Sequence, residues 1–159
     1  MTSVDVVDAE AFRRAMAQFP TFVTVVTTMS PEGPVGCTAN AVMSLSLEPS
    51  SVVVSLRSGG RTLEHVRAAG AFAVNALAWE QRELCRRFAV GDPARRFDGV
   101  RHVLRDGVPV LPDAVASVGC VIEDALEVHD HTLVIGRVVW STSGERPALV
   151  LRAGEHHRC

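Results

Sequence analysis

The sequence predicts a mainly β fold with flanking helices. Three observations carry this. Apolar residues recur at a period of two over residues 39–47, and TFVTVVTTM is rich in β-branched residues. Short turns such as SPEG, LEPS and SGERP separate most of these runs. Regular β-α-β alternation is absent, which excludes a doubly wound parallel sheet. The sheet should therefore be mainly antiparallel and able to close into a barrel.

The elements follow in order. DAEAFRRAMAQ, residues 8–18, is predicted as a helix, with Phe12, Ala15, Met16 and Phe19 on its inner face. Pro20 stops it. TFVTVVTTM is a strand, and SPEGP is a turn. GCTANAVMSLSLEPSSVVVSL, residues 36–56, reads as two strands around Glu48-Pro49. On the first, Ala39, Ala41, Met43, Leu45 and Leu47 form the predicted core face. Residues 58–69 start as a Ser-Gly-Gly loop and become a short helix ending at Gly70. AFAVNAL is a strand. WEQRELCRRFAV is a helix with Leu84 and Phe88 inward. GDPARRFDGV is a polar loop with Phe97 buried. Ala114–Leu126 and Thr132–Trp140 form a hairpin around EVHDH, and ALVLRAG is the last strand. With no repeat or linker, residues 1–159 read as one domain.

Composition narrows the function. Hydrophobic residues make up 47% of the chain, enough for a full core. The net charge of -2 gives no electrostatic footprint for nucleic acid or an anionic membrane. All 16 basic residues are arginine, so lysine Schiff-base chemistry and a phosphate-loop lysine are excluded. The acidic start, MTSVDVVDAE, lacks a signal-peptide pattern, and no apolar run is long enough to span a bilayer. The four cysteines form no C-x-x-C pair and are read as reduced thiols of a cytoplasmic protein. G-x-G-x-x-G, G-x-x-x-x-G-K-[ST] and G-x-S-x-G are all missing. The six histidines match no zinc spacing, and no metal is expected.

Three stretches carry positive signals. The face Thr38, Asn40, Val42, Ser44 and Ser46 is small, polar and uncharged. Small side chains let a planar ring such as flavin lie against the backbone, with its polar edge bonded to Thr, Asn and Ser. A polar face packed on a dimer partner, or simply wet, has the same pattern. SLRSGGRTLEHV joins a strand end to a helix start. Arg57, Ser58, Arg61 and Thr62 could there hold an anion between helix N–H groups and guanidinium. A Ser N-cap with solvated arginines is the alternative. EVHDHTLVIGRVV puts a histidine beside Asp130 at a hairpin mouth. It could meet an anionic ligand or orient a nicotinamide, or be a surface turn.

Five ordered blocks give a further reading: PTFVTVVTT, GCTANAVMSLSLEPSSVVVSL, GGRTLEHVRAAGAFAVNAL, RFDGV and HDHTLVIGRV. Together they resemble the small flavin reductases of two-component flavin-dependent monooxygenases, a flavin reductase-like split-barrel family. The resemblance implies a homodimeric split β-barrel of the FMN-binding type, with flavin near the subunit interface. It implies that Thr38, Ala39, Asn40, Ala41, Ser44 and Ser46 line the isoalloxazine. It gives Ser55, Ser58, Arg61 and Thr62 to the flavin phosphate, and Arg96, Phe97, Gly99 and Val100 to a loop near the flavin's edge. Asp130 and His131 fall in the segment associated with nicotinamide. Two positions depart from the pattern: His129 and Phe22 each replace a usual glycine. The C-terminal segment has His156 and His157 where many relatives have an aromatic. The implied reaction is reduction of FMN or FAD by NADH or NADPH, with reduced flavin passed to a partner monooxygenase or halogenase. An FMN-binding electron-transfer or storage protein, or a non-enzymatic dimeric binding module, would share the same fold.

Overall fold

The computed structural model describes residues 6–159. The first helix, α1 (Ala9–Ala17), is capped by Asp8, whose carboxylate accepts from the N–H groups of Glu10 at 2.9 Å and Ala11 at 3.0 Å. Strands β1 (Thr21–Phe22), β2 (Thr24–Ser30), β3 (Gly33–Ala39), β4 (Val42–Leu47) and β5 (Ser50–Arg57) follow. Helix α2 (Arg61–Ala69) leads to β6 (Ala71–Ala76), and a 3₁₀ turn at Trp79–Gln81 runs into a short α3 (Arg82–Arg87). The chain then forms β7 (Val103–Arg105), β8 (Val108–Val110), β9 (Ala116–Val128), β10 (His131–Ser143), β11 (Leu149–Arg152) and β12 (Glu155–Arg158).

Seven strands make the main sheet, in the order β3-β2-β6-β9-β10-β5-β4, with every pairing antiparallel. The predicted single strand over residues 36–47 is broken. It stops at Ala39, crosses at Asn40–Ala41 and restarts at Val42. Its halves, β3 and β4, lie at opposite edges of the sheet. Three Cα steps reach at most about 11 Å, so the sheet must roll until its edges meet. A backbone bond from Ser55 N–H to Ala41 C=O at 2.9 Å fixes the crossing. Yet β3 pairs only with β2 and β4 only with β5. The sheet is rolled but does not close, so the expectation of a closed barrel is corrected.

Inside the roll, Val26, Val54, Leu56, Val66, Phe72 and Val134 form one core cluster. On the other face, Val23, Val25, Leu77, Leu111 and Leu149 pack with Phe88 and Phe97. Asn75, fully buried on β6, ties the layers together. Its Nδ2 donates to Val25 O at 3.0 Å and Thr27 Oγ1 at 3.1 Å, and its Oδ1 accepts from Leu111 N–H and Ser117 Oγ at 3.0 Å each. Gly119 is required by close packing, because a Cβ there would sit 2.0 Å from the Trp140 ring.

Two predicted inner faces are outer faces in this chain. Phe12, Met16 and Phe19 of the α1 region are exposed, as are Met43, Leu45 and Leu47 of β4. The reason for α1 is its seat. It is tied to the β11–β12 turn by bonds from Ala153 N–H to Ala17 O at 2.6 Å and from Arg152 Nε to Gln18 O at 3.3 Å, not to the sheet. On β4 the cause is its edge position, with a register shift between Ser44 and Ser46. The sequence reading missed the β7–β8 hairpin and β12. Both turns left a signal: Asp106-Gly107 and Ala153-Gly154 each have positive φ at both residues, as a two-residue hairpin turn requires.

Candidate cofactor cleft

Where the two sheet edges meet, the fold leaves an open cleft of about 570 Å³. One wall is Cys37–Ala41, at the end of β3 and its crossing. The other is Ser55–Arg57 of β5, with His131 beside it. Gly60–Leu63 close one end as the start of α2. Phe88, Ala89, Pro93 and Arg96 come from the segment after α3. A volume of this order suits a ligand of cofactor size.

The small residues Ala39 and Ala41 leave the wall low. Thr38 lines the cleft, but its hydroxyl donates to Cys85 O at 2.6 Å and its N–H to Phe88 O at 3.1 Å. Its polar groups therefore hold α3 against β3. Helix α2 starts at Gly60 with no side-chain cap on its first turn. The Ser58 hydroxyl is bonded instead to Thr132 Oγ1 at 3.0 Å. The plain Ser N-cap alternative is thus not what the fold uses, and the first-turn N–H groups keep their capacity to bond an anion.

The charge in the cleft has one sign. Arg57, Arg61, Arg96 and His131 line it, and no Asp or Glu does. Arg57 and His131 face each other in the β5–β10 ladder. The nearby carboxylates stand at the rim. Glu32 meets Arg61 Nη2 at 3.4 Å, and Asp130 Oδ1 meets His131 Nδ1 at 2.8 Å. The hydrogen bond from His131, then its charge, hold the Asp130 carboxyl below the usual carboxylate range. Burial pushes the Cys37 thiol up, opposed by the Thr62 hydroxyl and the Arg96 charge.

Two buried polar atoms of residues that line the cleft lack a partner. Asn40 Oδ1 and Arg96 Nε are the buried side-chain polar atoms without a hydrogen bond among the described residues. One is an acceptor and the other a donor, and both residues line this cleft. Arg96 is itself held by a bond from Nη1 to Gly36 O at 3.0 Å. Buried polar groups are nearly always paired, so these two atoms are the bonding capacity that the fold leaves unused in the residues around the cleft.

Of the predicted site residues, Thr38, Ala39, Asn40, Ala41, Ser55, Arg61, Thr62 and His131 come together here. Ser58 lines a neighbouring depression with Gly59, Glu64 and Thr132. Ser44 and Ser46 lie on β4, away from the cleft, and Ser46 Oγ accepts from Glu48 N–H at 3.2 Å. Phe97 is in the core, edge-on to Phe88 at 4.9 Å, so Arg96 is the residue of that loop that faces the cleft. Asp130 reaches it only through His131. Cys37, Leu56, Phe88 and Pro93 line it without having been singled out; small or apolar types carry no chemical signal in sequence. His129 keeps the left-handed conformation usual for glycine, at φ 55°, so the β9–β10 turn forms despite the substitution. No group of three or more His, Cys, Asp or Glu is placed to hold a metal among the described residues.

Residues 16–157 match the family model "Flavin reductase like domain". The chain belongs to that family. Among curated members of the flavin reductase like family, the NADH-dependent FMN reductase AsuE2 of Streptomyces nodosus subsp. asukaensis is 43% identical over 133 residues, covering 80% of this chain and 71% of the relative. The flavin-dependent monooxygenase reductase subunit HsaB of Rhodococcus jostii is 33% identical over 153 residues, covering 94% of this chain and 78% of the relative. The solved structure of Streptomyces globisporus C-1027 NADH:FAD oxidoreductase SgcE6, in complex with NAD and FAD fragments, superposes with a TM-score of 0.89 at 33% identity, covering 98% of this chain and 97% of that one. Two Rhizobium meliloti relatives are longer, and the chain spans only 44% and 59% of their length.

Proposed function

We propose that this flavin reductase like chain is an NAD(P)H:flavin oxidoreductase that reduces FMN or FAD and supplies the reduced flavin to a separate monooxygenase or halogenase. The observation that carries this is the cleft itself. It is wholly basic, begins at an uncapped helix N-terminus, and contains one orphan acceptor and one orphan donor. Those features fit a flavin: an anionic phosphate tail and a ring whose edge alternates donors and acceptors.

In this reading the α2 N–H groups, Arg61 and Thr62 hold the phosphate. Ala39 and Ala41 let the ring lie close to the backbone. Asn40 Oδ1 accepts from the ring edge, and Arg96 Nε donates to it. His131, oriented by Asp130, faces the nicotinamide. When both cofactors are bound, the nicotinamide supplies a hydride and the flavin accepts it. The chain holds the rings in near-attack geometry and places positive charge where negative charge grows. No residue of the cleft is needed as nucleophile.

We read the chain as one domain that works as a homodimer, in which the rolled sheet is half of a split barrel. The exposed Phe12, Met16 and Phe19, with Met43, Leu45 and Leu47, support this, because such apolar residues are normally covered by a partner. Met16 and Phe19 also border an apolar depression that meets the cleft at Asn40 and Ala41, which brings this surface to the site. No helix among the described residues is long and apolar enough to cross a membrane. We place the reaction in the cytoplasm, where the nicotinamide cofactor is held.

Flavin titration of Arg61→Ala tests the reading. Loss of a charge-assisted phosphate contact costs about 1.5 kcal/mol at a half-exposed site, or about tenfold in Kd. FMN and FAD should lose that affinity and riboflavin should not. Equal losses for all three would remove Arg61 from the phosphate site.

A further inference from the structure

Arg61 is not a free cation. Its Nη2 meets Glu32 Oε2 at 3.4 Å, and Glu32 comes from the β2–β3 turn, far from α2 in sequence. The turn is built to present this carboxylate. Ser30 Oγ accepts from Glu32 N–H at 3.2 Å and donates to Gly33 O at 2.9 Å, and Gly33 takes a φ of 129° that other residues rarely adopt. Neither Arg57 nor Arg96 has a carboxylate partner among the described residues. The residue at the anion-binding helix start is thus the one lining arginine that is already matched by an acid.

We propose that Glu32 is an affinity- and specificity-setting residue: an internal competitor for the flavin phosphate at Arg61. This rests on the reading that the α2 N-terminus and Arg61 hold that phosphate. An incoming phosphate either displaces the Glu32 carboxylate from Arg61 or shares the guanidinium with it. In both cases a negative charge stands close to the phosphate and opposes it. The opposition grows with the charge on the phosphate group seated at Arg61. It is strongest for FMN, whose terminal phosphate carries about 1.5–2 negative charges near neutral pH. It is weaker for FAD, whose pyrophosphate carries two charges but only one on the phosphate at Arg61, and absent for uncharged riboflavin. A protein that must release reduced flavin to a second enzyme gains from such a contact, because it shortens the residence of the product without removing the site.

The experiment is a titration of FMN, FAD and riboflavin into wild type and Glu32→Gln, followed by flavin fluorescence at low salt and at about 0.5 M salt, where the Debye length falls to a few ångströms. Glu32 is exposed and makes no core contact, so the variant keeps the fold. The expected result is FMN binding about threefold tighter in the variant, the scale of one exposed ion pair. FAD should gain less, riboflavin nothing, and the FMN gain should shrink at high salt. If FMN outbinds riboflavin in both proteins but Glu32→Gln changes nothing, or shifts all three flavins alike, the competitor role is overturned and the phosphate site stands. If FMN and riboflavin bind equally in wild type and in Glu32→Gln alike, no phosphate is held at Arg61, and both readings fall together.

Discussion

Asn75→Ala should be among the most damaging substitutions in the chain, although it lies outside the cleft. Asn75 is fully buried and makes four hydrogen bonds, to Val25 O, Thr27 Oγ1, Leu111 N–H and Ser117 Oγ. Alanine removes all four. The hydroxyls can turn to other acceptors; Thr27 Oγ1 already donates to Pro109 O at 2.5 Å. The Leu111 N–H cannot turn, whereas the Val25 carbonyl keeps its ladder bond from the backbone N–H of residue 75. Each buried backbone group left without a partner costs about 1–3 kcal/mol. The expected loss is about 3 kcal/mol, a large share of the 5–15 kcal/mol typical of a folded domain. For a chain of this size that is a fall in Tm of about 6–12 °C. Urea denaturation, with the slope m compared between variants, measures it. Ser117→Ala is the control. It leaves the Asn75–Leu111 bond in place and should cost only about 1 kcal/mol. A loss below about 1 kcal/mol for Asn75→Ala would refute the account of this network.

Gly119→Ala should destabilise by about 1–3 kcal/mol, because the new methyl would stand 2.0 Å from the Trp140 ring. Displacing that ring also breaks the Arg105 contact, 4.3 Å above it, so a shift in tryptophan emission should accompany the loss. His131→Ala should raise KM for the nicotinamide cofactor and leave flavin Kd nearly unchanged. The same variant should return the Asp130 carboxyl toward its ordinary pKa, since the His131 bond is the main cause of its depression. Because the folded pKa lies below the unfolded one, the pairing is complete above the usual carboxylate range and is lost as pH falls through the folded value. Carboxyl chemical shifts followed through acid titration of both proteins check this, and an unmoved Asp130 in the variant would separate it from His131.

Much of the strand content was legible because β-branched and apolar runs mark single strands: β5, β6 and β10 lie where SSVVVSL, AFAVNAL and TLVIGRVV put them. TFVTVVTTM, read as one strand, is instead broken at Val23 into β1, which pairs with β11, and β2 of the main sheet. Periodicity could not show that β3 and β4 part at Asn40, because the alternation runs unbroken through the crossing. Chain continuity on paper hides a passage from one sheet edge to the other. That one break explains why Thr38, Asn40 and Ala41 line the cleft while Ser44 and Ser46 do not. The faces of α1 and β4 were read as core from amphipathicity, which reports that an apolar face exists but not what covers it. The segment at the start of α2 that closes one end of the cleft was readable from Ser, Gly and Arg at a strand-to-helix junction. Arg96 was harder to find, because its importance comes from an unpartnered Nε, and bonding is a property of the folded chain alone.

The central claim is flavin-dependent oxidation of a nicotinamide cofactor. The direct measurement is steady-state oxidation of NADH and of NADPH by the purified chain, followed at the nicotinamide absorbance, with FMN, FAD or riboflavin added or left out. The account predicts turnover that needs added flavin and saturates in both flavin and nicotinamide cofactor. Oxidation that no flavin stimulates, with either cofactor, would contradict it.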